Sequence, residues 1–138
     1  MNGDKFNSDR APSAVGLYPH ARKVDNLLFL SGVGPRKAGQ ENIPGVILKA
    51  NGEVESYDIE AQCHSVFENI RVILEDAGSS WKNIVDVQVF LTNMKGDFKK
   101  YNEIYAEYFK DNQPCRTTIE INSLPTPIAI ELKVIATI

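Results

Sequence analysis

Between residues 59 and 77 the apolar side chains fall at Ile59, Cys63, Val66, Phe67, Ile70, Ile73, Leu74 and Ala77, a three-and-four spacing that gathers them into one stripe of a helix. Asp58 precedes the stripe as an N-cap, and Gly78 follows it where a left-handed residue closes a helix. The period then changes to two. Val85, Val87, Val89 and Leu91 alternate with Asp86, Gln88 and Thr92, which predicts a strand. A second helix is predicted from Asp97 as cap to about Lys110, burying Phe98, Tyr101, Tyr105, Tyr108 and Phe109. Two strands close the chain, near 116–121 and 129–137, joined by Asn-Ser-Leu-Pro-Thr-Pro. In and around the last one Ile128, Ile130, Leu132, Val134, Ala136 and Ile138 point one way, against Ala129, Glu131, Lys133, Ile135 and Thr137.

Ahead of the first helix the pattern is looser. Residues 1–14 are polar and predict a flexible arm, with one domain over residues 15–138. "AVGLYPHARKV" and "NLLFLSG" read as two extended segments turning at Asp25-Asn26. Residues 32–56 hold five glycines and two prolines, which predicts a long loop with a short strand near Val46–Leu48 and a tight turn at Asn51-Gly52. The resulting order, β-β-(β)-α-β-α-β-β, makes an α+β domain in which two helices cover one face of a mixed five- to six-stranded sheet. Ile84, Phe90 and Ile135 fall on the minority side of their strands. The second face is therefore partly apolar, and a homo-oligomer is expected.

Composition narrows the function. The 138 residues are 43% hydrophobic and 24% charged, enough for one core. Fifteen basic against eighteen acidic residues leave a net charge of −3, which lacks the basic surplus that nucleic-acid binding uses. Cys63 and Cys115 are too far apart for a metal-ligand pair and are expected to be reduced. The segment "MNGDKFNSDRAPSA" has no secretory or transit pattern, and no apolar run reaches the ~20 residues of a membrane span. The expected setting is cytoplasmic, without membrane or nucleic-acid partners.

Two charged residues stand out in the closing strands, Arg116 at the entrance of one and Glu131 among isoleucines in the other. As cross-strand neighbours they would form an ordinary ion pair, worth about 0–1 kcal/mol when exposed. As a site, the guanidinium fork suits a small carboxylate, and a carboxyl among apolar side chains titrates in the range useful for proton transfer.

"QPCRTT", "SLPTP" and "LFLSGVGP" together resemble the RidA (YjgF) superfamily of imine deaminases, over about residues 14–136. The resemblance rests on Arg116-Thr117-Thr118, Leu124-Pro125 and a Glu seven residues after the Leu, Glu131. It implies a chorismate mutase-like sheet backed by two helices, assembled as a trimer with sites between subunits. It also implies that Arg116 holds a substrate carboxylate, that Glu131 orients or deprotonates the attacking water, and that Tyr18, Ser31, Gly32 and Asn102 line the pocket. Thr118 stands where many members carry a cysteine, so a backbone role survives there and a thiol role does not. Cys115, beside Arg116, is taken as structural.

The chemistry so implied needs no metal and no organic cofactor. "YPHARKVDNLLFLSG" and the Arg-Lys of "SGVGPRK" are most similar to 2-aminomuconate deaminases. Their dicarboxylate substrate suggests a second cationic grip, Arg36 or Lys37, against the alternative that "GPRK" is a solvated loop tip. Broad deamination of 2-aminoacrylate and related imines, a non-catalytic binding trimer, and an RNA-cleaving protein are the other readings. "GVGPRKAG" lacks the ending and context of a phosphate loop. His64 adjoins Cys63 on a helix, where neighbours do not share a face, and His20 reads as a rim or surface residue.

Overall fold

The computed structural model describes residues 3–138, so the part of the predicted arm formed by residues 1 and 2 lies outside the described residues. The rest of that arm is not loose. Asp4–Phe6 forms β1, which pairs antiparallel with β2 (Ala21–Val24), while Ser8 and Ala11 are buried. Polar composition hid this because the ties are polar. Arg10 pairs with Asp76 on the first helix, and Ser8 Oγ donates to the same carboxylate at 2.6 Å.

The expected hairpin is present. β2 turns through Asp25, at φ 53°, into β3 (Leu27–Leu30), a conformation that Asp tolerates better than most residues. In the long loop β4 (Val46–Leu48) is joined by β5 (Val54–Tyr57), a partner strand that the sequence pattern did not predict. α1 spans Ile59–Asp76, capped by Asp58 Oδ1, which accepts from the N–H of Glu60 and Ala61, and Gly78 follows at φ 87°.

β6 (Ile84–Leu91) corrects one expectation. Its pairing with β8 (Ile130–Thr137) runs Ile84↔Ala136 and then Asp86↔Ile135, so Val85 is an extra residue in a bulge. The bulge reverses the inward order. Ile84 is 2% exposed and joins the core, whereas Val85 is 43% exposed. α2 spans Met94–Phe109 and is capped by Asn93, whose Oδ1 accepts from Gly96 N, rather than by Asp97. Asp97 is buried in the first turn, where Tyr57 Oη donates to it at 2.6 Å and ties the β4–β5 hairpin to α2. Burial, reinforced by Asp97, pushes the Tyr57 hydroxyl up to about 12, and burial raises Asp97 as well. Phe98, expected inside, is exposed, and Ile104 takes an inward position instead. Ile138, expected to continue the inward face of the last strand, is also exposed.

The main sheet is mixed, in the order β1-β2-β3-β8-β6-β7, with β7 (Cys115–Glu120) parallel to β6 after the α2 crossover and the other pairings antiparallel. Both helices cover one face. Leu28, Leu30, Val87, Val89, Leu91, Leu132 and Val134 meet Phe67, Ile70, Leu74, Tyr101 and Phe109 there. Each such side chain contributes about 1.5–3 kcal/mol relative to an exposed position. The opposite face carries Phe29, Phe90, Ile119 and Ile135 beside Gln88, Thr117, Glu131 and Lys133, by register with the buried residues between them. Among the described residues, no helix is long and apolar enough to cross a membrane.

Candidate active site

Arg116 lies on the edge strand β7 in register with Val87, so it points to the helix-covered side. α2 receives it there. Its Nη1 donates to Asn102 Oδ1 at 2.8 Å, and its guanidinium carbon sits 4.7 Å from the Tyr105 ring centre and 5.5 Å from that of Tyr101. Tyr101 and Tyr105, four residues apart on α2, share a face, and the flat guanidinium stacks where an ammonium would not. Tyr101 Oη also lies 3.1 Å from Thr118 Oγ1, two residues along β7 from Arg116. Arg116 is exposed and forms no ion pair among the described residues. With one N–H given to Asn102, the rest of its fork is open to an anion.

Glu131 lies in register with Phe90, on the opposite face of the sheet. A complete strand, β6, separates β8 from β7, a lateral distance of about 10 Å. The plain ion pair between Arg116 and Glu131 is therefore absent. Burial raises the Glu131 carboxyl above its ordinary value, and no cation among the described residues pairs with it. Its Oε2 packs closely on Gly32: a Cβ there would stand 2.6 Å away, so any larger residue would displace the carboxylate from this position.

The backbone at Ser31-Gly32 is itself irregular. β3 pairs with β8 up to Phe29↔Ile135, and pairing resumes at Val33↔Leu132, so three residues, 30–32, oppose two, 133–134. Lys133 Nζ donates to the Leu30 carbonyl within this bulge, and burial lowers the ammonium below its ordinary value. Ser31 Oγ donates to Pro19 O at 2.7 Å. Tyr18, Ser31, Gly32 and Arg36 then line one small cavity of about 40 Å³, together with residues 12–14, His20 and Ile73. Arg36 Nη2 donates to Ser13 O at 2.8 Å across it.

The predicted residues thus form two groups. Arg116, Asn102 and Thr118 meet at the β7 edge. Tyr18, Ser31, Gly32 and Arg36 meet at the end of β3, with Glu131 against Gly32 from the open face. Lys37 joins neither: it is absent from the cavity wall, and its charge, after that of Arg71, helps lower the Glu68 carboxyl on α1. His20 is occupied structurally, since its Nδ1 accepts from Ser8 N and its Nε2 donates to Pro12 O. Among the described residues no group of three or more His, Cys, Asp or Glu is placed to hold a metal.

Sequence reasoning assigned Tyr101 and Tyr105 to the core. They are buried there and also cradle Arg116. It passed over Ser65 and Asn69, buried polar residues of α1 that hold the 34–36 loop. Their signal was available, because both are polar residues four apart beside the apolar stripe.

The Endoribonuclease L-PSP family model matches residues 8–138. A RutC family protein of Pyrococcus abyssi is 38% identical over 129 residues, covering 94% of this chain and 92% of that relative. "Reactive Intermediate Deaminase A, chloroplastic" of Arabidopsis thaliana is 35% identical over 132 residues, 96% of this chain and 64% of its own. Among solved structures, E. coli TdcF with bound serine superposes at a TM-score of 0.83 with 27% identity, covering 98% of each chain.

Proposed function

Because the chain belongs to the Endoribonuclease L-PSP family, the RidA (YjgF) superfamily, we propose that it is a deaminase that hydrolyses an imine, reached from its enamine, to a 2-oxo acid and ammonia. A relative named as a reactive intermediate deaminase supports the deaminase class at family level. The observation that carries the reading for this chain is Glu131, a half-buried carboxyl that burial raises above its ordinary value, paired with no cation among the described residues and packed against Gly32.

In this reading Arg116 grips the substrate carboxylate with the N–H groups that Asn102 leaves open. Glu131 accepts a proton from water as its oxygen bonds to the imine carbon. Glu131 returns that proton to the nitrogen, and the new hydroxyl gives up its own to the same nitrogen as the C–N bond breaks, leaving the 2-oxo acid and ammonia. Arg116 and Glu131 face opposite sides of one sheet, so a single small substrate meets both only where a second copy brings its β7 edge to the first copy's open face. A homotrimer with intersubunit sites satisfies this and covers Phe29, Phe90 and Ile135. Tyr18, Ser31, Gly32 and Thr118 would wall the pocket.

The substrate favoured is 2-aminomuconate, because Arg36 reaches the cavity and supplies a second cation for a second carboxylate. Broad action on small imines such as 2-aminoacrylate is the second reading, and the small volume of the cavity, about 40 Å³, favours it. An RNA substrate fits the net charge of −3 poorly. A cytoplasmic setting accords with the two free thiols, Cys63 and Cys115. The test is Glu131→Gln, which keeps shape and removes the proton acceptor. Deamination should fall by about 10²–10⁴ with ligand binding largely intact, and activity near wild type would remove Glu131 from the mechanism.

A further inference from the structure

The loop that carries Arg36 is fixed from an unexpected side. Three consecutive carbonyls, of Gly34, Pro35 and Arg36, turn inward to α1. Ser65 Oγ donates to Pro35 O at 2.7 Å, and Asn69 Nδ2 donates to Gly34 O at 2.9 Å and to Arg36 O at 2.6 Å. Both side chains are 4% exposed and stand one helical turn apart on the same face of α1. With a donor from α1 on each of three successive carbonyls, this segment is held to one backbone course.

That course sets where the Arg36 side chain starts. From it, the guanidinium gives one N–H to Ser13 O and borders both the small cavity and a wider groove that also touches Gln40, Val46 and Pro127. Four of its five N–H groups are uncommitted among the described residues, at the mouth between the two spaces. Lys37, one residue beyond the anchored carbonyls, lines neither.

We propose that Asn69 is a positioning residue: by holding the carbonyls of Gly34 and Arg36 it aims Arg36 at the outer end of a bound dicarboxylate, and so sets the site's preference for substrates with a second anionic group. The proposal rests on the reading of this site as one for carboxylate-bearing imines. It adds a buried residue that touches no substrate yet decides between substrates.

The test uses two unreactive probes of equal carbon skeleton, muconate with two carboxylates and sorbate with one, titrated calorimetrically into the assembled protein. Arg36→Ala should weaken muconate about ten- to a hundredfold and leave sorbate within about twofold. Asn69→Ala should reproduce most of the muconate loss, and the double variant should be no worse than Arg36→Ala alone, because both changes remove one interaction. If Asn69→Ala does not assemble, Asn69→Ser keeps one donor and should lose affinity for muconate to an intermediate degree, again sparing sorbate. Equal weakening of both probes, or additive losses in the double variant, would show Asn69 to be a packing residue only and overturn the inference. A wild type that does not prefer muconate to sorbate overturns it together with the 2-aminomuconate reading. Turnover of 2-aminoacrylate tests the deaminase reading separately.

Discussion

Arg116→Ala separates the fold from the site, because the structure bounds both effects. The side chain is exposed on an edge strand, so its contribution to stability is confined to one hydrogen bond with Asn102 and the stacking on Tyr105 and Tyr101. An exposed cation–π contact is worth about 0.5–1 kcal/mol and a hydrogen bond about 0.5–1.5 kcal/mol. The variant should therefore lose about 1–2 kcal/mol and melt several degrees lower, still folded. The loss at the site is larger. Hydrogen bonds to a charged partner are worth about 1.5–3 kcal/mol, which makes kcat/KM for a carboxylate-bearing imine fall by about ten- to a hundredfold. Arg116→Lys should recover less than half of this on a logarithmic scale, since an ammonium keeps the charge but cannot bond Asn102, stack on Tyr105 and offer a fork at once. The assay is steady-state hydrolysis of 2-aminoacrylate formed in situ, with the 2-oxo acid followed by coupled reduction and folding checked by circular dichroism. A folded Arg116→Ala with kcat/KM within twofold of wild type would refute the assignment.

Other outcomes follow from the same geometry. Light scattering should give a particle of about 46 kDa, three chains of 15.4 kDa, and a stable monomer at micromolar concentration would remove the argument for intersubunit sites. Replacing Arg36 and Lys37 together by Ala should depress turnover of 2-aminomuconate by about 1.5–3 kcal/mol more than that of 2-aminoacrylate, and Arg36→Ala alone should account for nearly all of it, since Lys37 lies off the cavity. Glu131→Gln should melt higher than wild type near neutral pH. The folded carboxyl titrates above its unfolded value, so the folded state binds more protons, and stability falls as pH rises through that window. The advantage of Gln should vanish below the unfolded value of about 4.3, and a constant difference across the range would contradict it. Leu132→Ala, fully buried under both helices, should cost about 2–5 kcal/mol in denaturant unfolding without altering substrate preference.

How much of this was legible depended on how local the cause was. α1 was readable from cap to stop, because Asp58, the apolar stripe and Gly78 act within one element. The α2 start was misread by a few residues, since Asn93 and Asp97 are both good caps and the choice falls to Tyr57, a residue forty positions away that takes Asp97 as its buried partner. The bulge at Val85 was invisible for a related reason. "IVDV" offers valine or isoleucine in either phase, and the register of β8 decides which faces inward. The N-terminal strand escaped because composition reports the absence of apolar side chains, not the presence of a sheet edge ready to pair.

The site shows the same limit more sharply. Residue identity marked Arg116 and Glu131 as unusual, but whether they meet is a matter of parity across strands. Arg116 pairs with Val87 and Glu131 with Phe90, three positions apart on β6. An odd separation puts the two side chains on opposite faces, so one chain cannot close both on a small substrate. Had the separation been even, the pair would have shared a face across one intervening strand, and an ordinary intramolecular contact would be the simpler account. As it stands, Arg116 is presented on the outer edge and Glu131 on the apolar open face, the two surfaces that a single chain leaves without a covering layer. A site shared by Arg116 and Glu131 therefore requires assembly. A dilution series that dissociates the oligomer while leaving the circular dichroism unchanged should abolish deamination in step with dissociation, and a folded, active monomer would break the link between the two.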